Sequence, residues 1–134
     1  MVSTLKDRVI LVIEDERPLA EAIKAKLAIS GCEAVTARTV EQALSYLNDQ
    51  VKIDAIWLDH YLLGKENGLD FVAKIKEEGS QWKEVPIFVV SNTVSPEKVQ
   101  TYLRLGANKY YTKANYRLDQ IIGDIKEFLD NHKE

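Results

Sequence analysis

Four polar side chains stand after apolar runs and a fifth, Lys113, after a polar-flanked strand, and their types belong together chemically. Glu14 and Asp15 follow Arg8–Ile13, Asp59 follows Ile53–Leu58, Ser91 follows Val85–Val90, and Lys113 follows Asn108–Thr112. Apolar runs without alternation suit strands buried on both faces of a parallel sheet. In open α/β sheets the carboxyl edge of the strands is where ligands gather. If these runs lie parallel, all five groups converge on that edge. Three clustered carboxylates repel, so neutrality there calls for a divalent cation and a lysine. A few carboxylates with retained waters suit Mg²⁺. An aspartate beside bound Mg²⁺ can attack phosphorus and hold an acyl phosphate. The lysine ammonium and serine hydroxyl would then bind the transferring phosphoryl oxygens.

The intervening segments read as helices. Leu19, Ala22, Ile23 and Leu27 share one face of the first, with Pro18 in its opening turn, an acid of the Glu14–Glu16 run as its cap and Gly31 as its stop. Glu33 to Arg38 reads as a short strand. Thr39-Val40-Glu41-Gln42 matches a capping box and opens a helix with Val40, Ala43, Leu44 and Leu47 inward. After Asp59 comes a loop from His60 to Asn67. Gly68 opens a helix with Leu69, Val72 and Ile75 on one face, ended by Gly79 and Ser80. Ser95-Pro96-Glu97 starts a fourth helix that Gly106 closes. The last carries Leu118, Ile121, Ile122, Ile125, Phe128 and Leu129 at helical spacing. The order is β-α five times, which implies an α/β fold with a parallel sheet covered on both faces.

Composition excludes several classes. A chain of 134 residues with 46% hydrophobic content supports one domain with a substantial core, and no second domain is expected. The net charge of −3 and the lack of a basic stripe argue against nucleic-acid binding. Cys32 is the only cysteine, so no internal disulfide can form and a reducing compartment is expected; Cys32 itself reads as a small apolar residue. No leader-like start and no membrane-length apolar run are present, so the expected place is the cytoplasm.

This arrangement resembles the receiver domain of two-component response regulators over essentially the whole chain. Glu14 and Asp15 match its acidic pair, Asp59 its phospho-acceptor, Ser91 its switch hydroxyl, Lys113 its phosphate-binding lysine and Tyr110 its switch aromatic. The resemblance implies a (βα)5 fold with strand order 2-1-3-4-5 and Mg²⁺ as cofactor, with the backbone carbonyl of Tyr61 as a further metal ligand. It also implies a phosphoryl donor that is a histidine kinase or phosphotransfer protein. Tyr61 and Thr93 would flank the dephosphorylation path, and Asn92 stands where a smaller residue is common. The expected role is a signalling switch rather than a metabolic enzyme, resetting by slow self-catalysed dephosphorylation. Output would pass to a partner on the face formed by the fourth helix, fifth strand and fifth helix. That face also docks a second copy of the domain in the family.

Three departures from the family pattern bear on the site. Ala114 replaces the usual proline after the lysine, so the Lys113–Ala114 bond is either trans, or cis at a cost of roughly 2.5–4 kcal/mol. The loop from Asp59 to Gly68 is one residue longer than usual, and Leu63 stands where proline is frequent. Tyr111 competes with Tyr110 as the aromatic in question. Bland readings sit beside the functional ones: Glu14 or Asp15 as a helix cap, Lys113 as a solvated lysine, Trp57 as core, Trp82 as a loop residue, and His60 and His132 as solvent-facing. Four of the six tyrosines (Tyr102, Tyr110, Tyr111 and Tyr116) fall from the fourth helix to the start of the fifth, a pattern that suits an interface or core packing equally well. Rival functions are a receiver-like module that signals without phosphate, a flavodoxin-like cofactor binder and a small Mg²⁺-dependent phosphatase. The acids at 14–16 would repel a cofactor phosphate, and Tyr61 stands where the phosphatase needs a second aspartate.

Overall fold

The computed structural model describes residues 8–49, 52–92 and 95–132. The strands are β1 (Val9–Ile13), β2 (Glu33–Ala37), β3 (Ala55–Leu58), β4 (Ile87–Ser91) and β5 (Lys109–Thr112). The helices are α1 (Arg17–Ile29), α2 (Val40–Asn48), α3 (Gly68–Lys76), α4 (Pro96–Leu105) and α5 (Leu118–Asn131). All strand pairs are parallel and the order is β2-β1-β3-β4-β5, the expected α/β fold.

Every residue of β3 and β4 is buried, which is why those runs show no alternation. Their side chains still alternate between two apolar layers. Ile10, Val12, Trp57, Phe88 and Val90 pack with Ile23 and Leu27 of α1 and with Ile121, Ile125 and Leu129 of α5. Leu11, Ile13, Ile56, Leu58, Ile87 and Val89 face the opposite way, onto Ala43 and Leu47 of α2, Phe71 and Ile75 of α3, and Tyr102 of α4. Trp57 is core, as its run suggests. Trp82 is half-buried in the connection after α3 and packs on the second layer.

Several element boundaries differ from the sequence reading for identifiable reasons. On α1 the buried stripe is Ala20, Ile23 and Leu27, with Ala22 exposed one position off it. The N-cap of α1 is Glu16, whose side chain makes no capping bond; Glu14 Oε2 instead accepts the Glu16 N–H at 3.3 Å. Ile53 and Asp54 precede β3 because the Asp54 carboxylate accepts the Val9 N–H at 2.8 Å, where a ladder carbonyl would stand. Val85 and Pro86 precede β4, and Asn108 precedes β5 with its side-chain oxygen accepting the Ile87 N–H at 2.9 Å. The Thr39 box is half made. Thr39 Oγ1 accepts the Gln42 N–H at 3.0 Å, but Gln42 Oε1 turns to the Arg38 N–H. A complete box starts α3, where Asn67 and Asp70 exchange bonds at 3.1 and 2.9 Å. α3 ends at Lys76, three residues before Gly79, and the Lys76 ammonium donates to the carbonyls of Lys83 and Val85 at 2.6 and 2.8 Å.

The largest correction concerns His60. It is 2% exposed rather than solvent-facing, and its Nδ1 lies 2.6 Å from the Tyr102 hydroxyl. His60 lies two residues beyond Leu58, and its imidazole sits on the same side of the sheet, against Tyr102 in the layer beneath α4. His132 is exposed as expected, stacked on Phe128 at 4.0 Å between ring centroids.

The Asn67–Asp70 box gives a direct test of how α3 is started. Asn67→Ala removes the acceptor for the Asp70 N–H and should lower stability by about 1 kcal/mol. Urea unfolding monitored by circular dichroism measures it, and an unchanged midpoint would mean that packing alone seats the helix.

Candidate functional site

The carboxyl ends of β1, β3, β4 and β5 bring the expected residues together. The Glu14 N–H continues the ladder beyond β1 by donating to the Ala37 carbonyl at 2.9 Å, and the Asp59 N–H does the same to Ile13 at 2.9 Å. Both backbones are therefore fixed by sheet bonds up to the residues that carry charge. Glu14 is fully buried and Asp59 is 3% exposed. Asp15, half-buried, completes a triangle in which one carboxylate oxygen from each acid lies within 4.8 Å of the others. Lys113 Nζ stands 3.2 Å from Glu14 Oε1 and 3.5 Å from Asp59 Oδ2. Ser91, fully buried, is the last residue of β4 and pairs in register with Thr112, immediately before Lys113.

The Lys113–Ala114 bond is trans, since no described peptide is cis. A single 3₁₀ turn over Lys113–Asn115 follows β5. With that backbone the ammonium still reaches both acids, so Ala114 does not cost the site its cation.

Electrostatics reflect the crowding. Burial, reinforced by the charge of Asp59, pushes the Glu14 carboxyl up from 4.5 to about 7, against the opposing pull of Lys113. Burial by itself would lower the Lys113 pKa, but the charges of Asp59 and Glu14 outweigh it and the net shift is upward. One ammonium against three carboxylates leaves the cluster short of positive charge. Asp59 Oδ1 is buried with no hydrogen-bond donor among the described residues. A small all-oxygen set with a buried, undonated carboxylate oxygen fits a hard divalent cation.

The two candidate aromatics separate by strand parity. Tyr111 points to the α5 layer, where its hydroxyl donates to Asp124 at 2.8 Å and its ring meets Tyr116 edge-on. Tyr110 points to the α4 side, half-buried, and its hydroxyl donates to the Asn92 carbonyl at 2.9 Å. It is therefore tied to the segment that follows Ser91. Burial pushes the Tyr110 phenol up to about 12. Asn92 and Tyr61 are exposed near the edge, and Thr93 lies outside the described residues.

Arg38, at the end of β2, carries a role that its sequence position did not signal. Its Nε and Nη2 donate to the Asp15 carbonyl at 3.3 and 3.1 Å, and its own carbonyl accepts the Leu63 N–H at 3.2 Å. One residue thus fixes the backbone of Asp15 and anchors the long loop after β3. That loop closes where the Gly68 N–H donates to the His60 carbonyl at 3.0 Å.

Fold and site together define a doubly wound α/β protein with an acidic carboxyl edge and one inserted lysine. A family model described as the response regulator receiver domain matches residues 10–126. The chain is 34% identical over 118 residues to the transcriptional regulatory protein DltR of Streptococcus agalactiae, covering 87% of this chain and 50% of that protein. Among solved structures, a response regulator receiver protein from Pseudomonas putida superposes with TM-score 0.82 at 26% identity, covering 90% of this chain and 97% of that one. The phosphorylated cyanobacterial phytochrome response regulator RcpA does so with TM-score 0.76 at 26% identity, covering 92% of each chain. This chain belongs to the response regulator receiver domain family, the signalling module of two-component systems. It spans about half the length of the curated relatives it matches. Among the described residues no helix is long and apolar enough to cross a membrane.

The raised Glu14 pKa predicts a pH dependence. The folded state holds this proton more tightly than the unfolded chain does. The associated stability is complete below pH 4.5 and is lost as pH rises towards 7. In chelator-treated protein the urea midpoint of the parent should fall relative to that of Glu14→Gln across this range. Parallel curves for the two proteins would show that Glu14 is not penalised by its burial.

Proposed function

We propose that this chain is a phosphorylation-controlled switch whose phospho-acceptor is Asp59. The observation that carries the reading is a buried carboxylate at the carboxyl edge of β3, with Lys113 3.5 Å away and two further acids beside it. A carboxylate oxygen of Asp59 forms the O–P bond as the P–N bond of a donor phosphohistidine breaks. The imidazole nitrogen of the donor keeps the electron pair and takes up a proton. The donor is a histidine kinase or phosphotransfer protein. Asp59 thereby becomes an acyl phosphate.

Glu14, Asp15 and Asp59, with the backbone carbonyl of Tyr61, would hold Mg²⁺. When bound, that ion supplies neutralisation of the phosphoryl oxygens. Lys113 exchanges part of its pairing with Asp59 for pairing with a phosphoryl oxygen, and the Ser91 hydroxyl donates to another. Movement of Ser91 draws on the segment to which the Tyr110 hydroxyl is bonded. The consequence is read on the face made by α4, β5 and α5, where a downstream protein or a second copy docks. Water attack on the acyl phosphate releases inorganic phosphate, regenerates the Asp59 carboxylate and resets the switch. Tyr61, Asn92 and Thr93 set the rate of that step.

Intact mass after incubation with Mg²⁺ and acetyl phosphate tests the assignment. One phosphoryl group should appear on the parent, be removed by hydroxylamine, and be absent from Asp59→Asn. Label retained by Asp59→Asn would overturn the choice of acceptor. No uptake by correctly folded parent, from acetyl phosphate or from a phosphohistidine donor, would favour a module that signals without phosphate.

A further inference from the structure

Two buried polar residues have no part in the chemistry just described. His60 follows the phospho-acceptor directly, and Tyr102 lies in the last turns of α4. Their 2.6 Å contact between Nδ1 and hydroxyl joins a 2% exposed imidazole to a fully buried phenol. The rings meet edge-on with centroids 5.7 Å apart. Of the α4 residues, Tyr102 alone is buried. Tyr102 is therefore the main buried anchor of this helix, beside the half-buried Val99 and Thr101, and the polar end of its side chain depends on His60.

The surroundings leave the hydroxyl little freedom. A Cβ added at Gly68 would collide with it, and would also lie 3.0 Å from the Asp59 carbonyl and 3.1 Å from His60 Cα. The phenol tip is thus lodged against the start of α3 and the backbone of the phospho-acceptor itself. A buried phenol hydroxyl requires a hydrogen-bond partner, and His60 is the one this structure supplies. On its other side the Tyr102 ring lies 6.1 Å from the ring of Tyr110 between centroids. A continuous run of three rings therefore joins residue 60, α4 and β5. It ends at the Asn92 carbonyl, beside Ser91.

We propose that the His60–Tyr102 hydrogen bond is a positioning link that couples the state of Asp59 to the seat of α4, alongside the path through Ser91 and Tyr110. This rests on the proposed function of Asp59. His60 shares a peptide bond with Asp59, so a change in the charge and contacts of that carboxylate shifts the backbone from which the imidazole projects. The bond transmits the shift to the main anchor of α4. Coupling is reciprocal, so a partner that moves α4 acts back on Asp59 through the same contact.

Hydrogen exchange of α4 amides tests the link in the full chain, with Tyr102→Phe keeping the ring and removing the hydroxyl, and His60→Leu removing the other partner. In the resting state both variants should exchange α4 amides faster by about tenfold, the worth of one net hydrogen bond, with sheet amides unchanged. The double variant should exchange no faster than either single one, since the two residues act through one bond. With Mg²⁺ and acetyl phosphate, parent and Tyr102→Phe should gain the same single phosphoryl group by mass. The change in α4 exchange that accompanies uptake in the parent should be lost in the variant. If the parent takes up phosphate and Tyr102→Phe shows the same α4 protection and the same response, the link is overturned while the switch assignment stands. Additive effects of the two single variants would also overturn it. No uptake by the folded parent, from acetyl phosphate or from a phosphohistidine donor, would overturn the switch assignment and the coupling with it.

Discussion

Three carboxylates and one ammonium share a single sheet edge, and the rest of the structure depends on keeping them there. Glu14 and Asp59 are buried within reach of each other and of Lys113, and Asp15 is held close by the Arg38 clamp on its carbonyl. Burial, with the neighbouring charge of Asp59 as the second cause, raises the proton affinity of Glu14. If all four groups are ionised, the cluster keeps two uncompensated negative charges, and a divalent cation balances that number. That imbalance works against the folded state. Such a device has to rest on a frame that does not relax to relieve it.

The parallel sheet is that frame. Each strand that ends in a charged or hydroxyl-bearing residue is bonded to neighbours up to its last position, so the acids cannot swing apart without breaking ladder bonds. Two apolar layers clamp the sheet from both sides. On the order of a hundred kcal/mol of opposing terms meet in a domain of this size. A local penalty of a few kcal/mol at one edge is tolerable there, because it is spread over fully packed strands rather than a loop.

The parts of this design that were legible in the sequence are those written locally. Apolar runs before Glu14, Asp59 and Ser91, and a short polar-flanked run before Lys113, mark the strands and the residues of the edge, because strand burial and strand end are both properties of consecutive residues. The complete capping box at Asn67 and Asp70 is just as local, whereas the Thr39 motif is only half made because Gln42 bonds Arg38. Contacts across long sequence separations were not legible. Arg38 reaches back 23 residues to Asp15, and His60 reaches forward 42 residues to Tyr102. Neither residue carries a periodicity or a neighbour that announces its partner. Tyr110 and Tyr111 needed the strand's phase, since adjacent residues face opposite layers.

The same parity explains how an edge site can address a helix at some distance. Asp59 sits at the edge with the acids, and the next residue necessarily points to the other face, towards α4. A strand end therefore offers two outputs one residue apart, the first to the ligand and the second to the layer beneath a helix. In this chain the second position is a histidine rather than an aliphatic residue, so its contact with α4 is directional. Aliphatic packing tolerates small shifts with gradual loss, whereas a hydrogen bond weakens steeply with angle and distance. With Tyr102 as the only buried residue of α4, that directional contact makes the helix more responsive to the geometry of β3 than an apolar seat of the same size would be.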